Sequence, residues 1–115
     1  MKNDGTAAAR VREFGFRSPR FKTNFNFSVE ITATRERHEA LCTDISEDGL
    51  AAELLLKIPP KTEVTMWLLF PGGTTPVQIQ ASVEYRRERL HGFNFLYSTL
   101  DERAQVKAFI QMIRA

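Results

Sequence analysis

Residues 25 to 32, "FNFSVEIT", alternate in a way that decides the fold: Phe25, Phe27, Val29 and Ile31 fall on one side, Asn26, Ser28 and Glu30 on the other. A strict period of two marks a half-buried β-strand, because successive side chains of an extended chain point to opposite faces. Upstream, "RSPRFKT" (residues 17 to 23) has no apolar period and places Arg17 and Arg20 ahead of the strand.

Downstream, short strands recur between turn signals. "TRER" (34 to 37) is a polar turn, and Glu39 to Ser46 is the second strand, with Leu41, Thr43 and Ile45 on one face and Cys42, Asp44 and Ser46 on the other. Gly49 punctuates, and Leu50 to Leu55 follows as the third. "IPPK" (58 to 61) breaks the chain, since proline fixes φ and removes a donor. Glu63 to Phe70 is the fourth, apolar on both faces, so its outer Trp67 and Leu69 need a cover. After "PGGTTP" comes Val77 to Tyr85, with Val77, Ile79, Ala81, Val83 and Tyr85 inward; Gly92 to Tyr97 is the sixth. The period then changes. Thr99 and Glu102 have capping-box spacing, and Val106, Phe109, Ile110 and Ile113 form the apolar face of a helix over 99 to 114. Trp67 and Leu69 are the expected seat for that face.

The sequence predicts a mostly β fold: a small six-stranded antiparallel β-barrel with a C-terminal α-helix and a flexible basic N-terminal arm. Residues 1–16 are the arm and residues 17–115 the barrel domain with its helix. The chain has 115 residues, enough for one core. It has no apolar run of membrane-spanning length and no apolar stretch of the signal-peptide kind near its start, and its single cysteine allows no internal disulfide. A cytoplasmic location is the default expectation.

Charge is unevenly spread. Residues 1 to 22 hold six basic against two acidic residues, net +4, and the remainder holds ten against twelve, net −2. A basic arm suits an anionic partner; equally, it is a solvated tail.

Little supports catalysis. His38 and His91 fall in charged turns and read as surface histidines. Cys42 has no metal-ligand spacing and reads as a small apolar filler, and Ser46 lacks a nucleophile elbow. The expectation is a non-enzyme with no cofactor.

One stretch remains, "TDISEDGL" (43 to 50), in which Asp44 and Ser46 share a strand face and Gly49 allows a tight turn or a close approach. Asp, Ser and Gly are also ordinary strand-ending residues. In combination with Arg17 and Arg20 one strand earlier, the stretch resembles the PilZ domain family. That family has Arg-x-x-x-Arg before its first strand and Asp/Asn-x-Ser-x-x-Gly a strand later. The second motif is complete here as Asp44, Ser46 and Gly49. "IPPKTEVTMWLLFP" is similar to the family's proline-led fourth strand, and "VEYRRERLHGFNF" to its late hairpin, ending in Gly92 and Phe95. The first motif departs: Phe16 stands four residues before Arg20, so it reads Arg17-x-x-Arg20, with Arg10 and Arg12 further back.

The resemblance implies a receptor for the bacterial second messenger cyclic di-GMP. Its expected ligand-binding residues are Arg17, Arg20, Asp44, Ser46 and Gly49, with Arg12 and Asn94 as secondary candidates. Arginine suits phosphate oxygens and guanine acceptors, a carboxylate suits the guanine N–H donors, and an arm ordered by the ligand would signal to a downstream protein. The alternative within the family is an adaptor that binds no nucleotide and acts through protein contacts. A nucleic-acid-binding barrel, using Phe14, Phe16 and Phe21 as stacking groups, is disfavoured by the acidic body.

Overall fold

The computed structural model describes residues 18–114. The arm expected over 1–16, with Arg10, Arg12 and Phe16, lies outside the described residues, as does Arg17. Six antiparallel strands, β1 (Phe21–Ile31), β2 (Arg37–Ile45), β3 (Gly49–Glu53), β4 (Glu63–Leu68), β5 (Val77–Arg87) and β6 (Leu90–Leu96), close in the order β1-β2-β3-β6-β5-β4, and helix α1 (Leu100–Arg114) follows. Closure leaves no strand edge unpaired, the usual hazard of a small sheet. No helix of the described residues is long and apolar enough to cross a membrane.

Alternation carries the core. Phe25, Phe27 and Val29 point inward from β1, Val64, Met66 and Leu68 from β4, and Val77, Ile79, Ala81 and Val83 from β5, all buried. Bulges in β2 and β5 interrupt the alternation and correct two expected faces. In β2 the register slips between Cys42 and Asp44, so Ala40 and Cys42 face inward, Leu41 is only half-buried, and Ile45 returns to the core. In β5 the register slips between Val83 and Tyr85, which turns Tyr85 out to solvent instead of inward. An extra residue in one strand shifts everything beyond it to the opposite face, and no composition signal announces it.

The helix begins as its spacing foretells. Thr99 Oγ1 accepts the Glu102 N–H at 3.1 Å, and Glu102 Oε1 accepts the Ser98 N–H at 2.9 Å. Its seat is not the expected one. Val106, Phe109 and Ile110 are buried, and Phe109 stacks on Phe70 with centroids 4.3 Å apart while meeting the inward-facing Phe25 edge-on at 5.5 Å. The helix therefore seats on rings of the barrel interior. Trp67 is instead covered by the Arg37 guanidinium, 4.0 Å above its ring, and Leu69 stays exposed. An arginine is enough cover for an outer tryptophan because its cation is attracted to the ring face.

His91 is a second correction. It lies within β6, fully buried, not on the surface. Its Nε2 accepts the Ile58 N–H at 2.9 Å, which fixes the tautomer, and Nδ1–H donates to the Arg89 carbonyl at 2.8 Å. Burial holds its pKa below the usual histidine value. Cys42 is a buried thiol, as expected, and burial first, then the nearby Asp44 charge, push its pKa up to about 12.

Candidate functional site

The motif stretch forms the β2–β3 turn, and its own side chains close it. Ser46 N–H donates to the Gly49 carbonyl at 2.8 Å, Ser46 Oγ donates to the same oxygen at 3.3 Å, and Oγ accepts the Asp48 N–H at 3.1 Å. Ser46 is buried, so its hydroxyl first serves the turn. The Asp48 carbonyl accepts the Phe95 N–H at 2.8 Å, tying the turn to β6. Gly49 pairs with Asn94, and a Cβ there would lie 1.9 Å from the Phe93 carbonyl oxygen. Only glycine lets the turn approach β6 this closely.

Arg20 arrives by a route the alternation understated. β1 starts at Phe21, not at Phe25, because a bulge between Lys22 and Phe25 carries the pairing on to Lys22↔Asp44 and Phe21↔Ile45. Arg20, one residue before the strand, thereby lies beside Asp44: Nε donates to Oδ1 at 2.8 Å and Nη2 sits 2.6 Å from the same oxygen. Phe21, counted among the arm's stacking aromatics in the nucleic-acid reading, is a β1 residue packed against the core, with the Arg114 guanidinium 5.6 Å from its ring.

A cavity of about 440 Å³ opens beside this pair, on the outer faces of β3, β6 and β5. Arg20, Ser46 and Gly49 line it, and so does Asn94, which the Gly49 pairing brings to the motif. Asp44 adjoins it through Arg20. The expected residues Arg20, Asp44, Ser46, Gly49 and Asn94 thus gather at one site; Arg17 and Arg12 fall outside the described residues.

Three further residues of the cavity were not singled out from sequence: Tyr85, Tyr97 and Arg103. Tyr85 lies flat over Gly92, where a Cβ would meet its ring at 2.1 Å. Tyr97 Oη donates to the Glu47 carbonyl at 2.6 Å, and burial raises its pKa well above the usual tyrosine value. Arg103 reaches from α1 to Glu47 Oε1 at 3.4 Å, with its guanidinium 5.9 Å from the Tyr97 ring. The carboxylates at the motif's variable positions are both engaged: Glu47 by Arg103, and Asp48 Oδ2 by the Ser18 N–H at 3.4 Å.

The six-stranded barrel with a C-terminal helix is the fold the sequence resemblance implied, and a family model described as the PilZ domain matches residues 15–112. The chain belongs to the PilZ domain family. Solved structures agree in fold. The PilZ domain of CeSA from a cellulose-synthesizing bacterium superposes with a TM-score of 0.70 at 15% identity, covering 85% of this chain and 100% of that one. The K. pneumonia MrkH–c-di-GMP complex gives 0.69 at 14% identity, and the Bacillus subtilis inhibitor of motility MotI/DgrA gives 0.56 at 18%. In both, the match covers 84% of this PilZ chain and 50% of the other. No curated relative matches the chain.

Proposed function

We propose that this PilZ domain is a non-enzymatic receptor that binds cyclic di-GMP at the cavity beside the Asp44–Gly49 turn and passes the signal to a downstream protein. The observation that carries the reading is the meeting of Arg20 and Asp44, 24 residues apart, at the mouth of a cavity lined by Ser46, Gly49 and Asn94. The volume lies in the range of small-molecule sites. Both Arg20 contacts fall on Asp44 Oδ1, and Oδ2 is the oxygen for the guanine N1–H and N2–H donors. Arg20 keeps its remaining guanidinium face for phosphate or for stacking on a base. That one solved neighbour is a c-di-GMP complex agrees with this chemistry.

Arg17, with Arg12 behind it, completes the clamp from the N-terminal side in this reading, and ordering of that segment on binding is the output. Paying its entropy leaves affinity in the micromolar range, about −8 kcal/mol. The test is isothermal titration calorimetry with cyclic di-GMP on the wild type, Asp44→Ala and Arg20→Ala. Saturable wild-type binding, weakened at least about 30-fold in each variant, supports the reading, since each removes a charged hydrogen-bonding group. No wild-type heat assigns the domain to the adaptor alternative, which Phe16 in place of the usual arginine favours.

A further inference from the structure

We infer that Arg103, on the C-terminal helix, is a phosphate-contacting residue of the cyclic dinucleotide site. The inference rests on the receptor reading above and extends it to an element outside both sequence motifs. A cyclic dinucleotide carries two phosphates and asks for two cations. Among the described residues, Arg20 and Arg103 are the cations that line the cavity. Arg20 is held by Asp44 through two contacts of 2.6 and 2.8 Å. Arg103 is held far less firmly. Its ion pair with Glu47 is a single contact of 3.4 Å, with the Arg103 side chain 49% exposed and that of Glu47 36% exposed. A pair of that length and exposure contributes little, whereas a guanidinium can fork two short charge-assisted bonds onto a phosphate. A phosphate in the cavity therefore competes with Glu47 for Arg103.

Glu47 makes the inference testable, because its two relations to Arg103 predict opposite signs. If Arg103 contacts phosphate, Glu47 is a competitor, and removing its charge frees the arginine. If Arg103 only braces the motif turn, Glu47 is its partner, and removing either group loosens the turn alike. The turn stays anchored in Glu47→Gln because Tyr97 bonds the Glu47 backbone carbonyl rather than its side chain.

The experiment is calorimetric titration of cyclic di-GMP into the wild type, Arg103→Gln, Arg103→Lys and Glu47→Gln, with urea unfolding of each as a check on the fold. The expected result is binding weakened about tenfold or more in Arg103→Gln, partly restored in Arg103→Lys, and unchanged or tightened in Glu47→Gln. Wild-type binding that is unaltered in Arg103→Gln overturns the inference and leaves the receptor reading standing. Equal weakening in Arg103→Gln and Glu47→Gln also overturns it, assigning Arg103 to the turn alone. Absence of wild-type binding overturns the receptor reading itself and this inference with it.

Discussion

Adding one methyl group at Gly49 tests the close approach on which the candidate site depends. A Cβ at this position would lie 1.9 Å from the Phe93 carbonyl oxygen, 3.0 Å from its carbon and 3.2 Å from Asn94 Cα. A carbon normally keeps roughly 3.5 Å from such atoms, so β3 and β6 must part by more than about 1 Å. All three obstacles are backbone, so no side chain can rotate away. β6 is paired with β5 on its other edge, so the displacement strains a second ladder. It also pulls at the Ser46 N–H to Gly49 bond and the Phe95 N–H to Asp48 bond. Overpacking of this kind costs typically 1–3 kcal/mol, and a rigid backbone obstacle places Gly49→Ala at about 3 kcal/mol or more. Ser46→Ala is the contrast. It removes hydroxyl bonds of 3.1 and 3.3 Å and adds no atom, for a cost of about 1 kcal/mol. Equilibrium urea unfolding of both variants reads the difference. A Gly49→Ala protein within about 1 kcal/mol of the wild type would mean that β3 and β6 have room the geometry denies them, and the close approach would not be a constraint.

Acid should weaken the fold through His91: the unfolded imidazole takes up a proton near pH 6.5 while the native one resists, so stability is full above that pH and falls below it by up to about 1.4 kcal/mol per unit until the native pKa is reached. Urea midpoints between pH 8 and 5 for the wild type and His91→Leu check this: the variant is less stable at pH 8, since the buried Ile58 N–H loses its acceptor, and its acid slope is shallower; parallel profiles would contradict it. Phe109→Ala should cost about 3–5 kcal/mol by unseating α1 from Phe25 and Phe70, whereas Trp67→Ala leaves helix content unchanged by circular dichroism, and the reverse pattern would place the helix on β4 after all. Cys42 should resist a thiol reagent in the folded protein and react once urea unfolds it, as a buried thiol with its pKa pushed up to about 12 requires; rapid native labelling would contradict its burial.

The barrel was legible because alternation is a consequence of strand geometry, and Phe25, Phe27 and Val29 or Ile79, Ala81 and Val83 obey it without interruption. It failed at Leu41, Cys42 and Tyr85 for one reason: a bulge changes the face of a residue without changing its identity. The helix was visible from its capping pair and apolar spacing, but its docking surface was not, since Phe70 and Trp67 are both large apolar residues near one another in sequence. His91 misled because the charged run from Arg86 to Arg89 beside it reads as a turn, and its two backbone partners, Ile58 and Arg89, come together only in the closed barrel. Of the site, Asp44, Ser46 and Gly49 stood out as a motif. Asn94 was a secondary candidate, and its pairing with Gly49 is a matter of strand register. Arg103 carried no mark in the sequence, because an arginine on the polar side of an amphipathic helix is what any solvated helix shows.

The proposed receptor site specifies a place as well as a ligand: cyclic di-GMP at the cavity of β3, β6 and β5. Titrating it into uniformly ¹⁵N-labelled protein and following backbone amide shifts tests both together. Saturable shifts are expected in residues 18–22, 44–49 and 92–97, together with shifts of residues N-terminal to Ser18. Shifts confined to the opposite face around Arg37, Thr65 and Trp67, or none at saturating nucleotide, would contradict it.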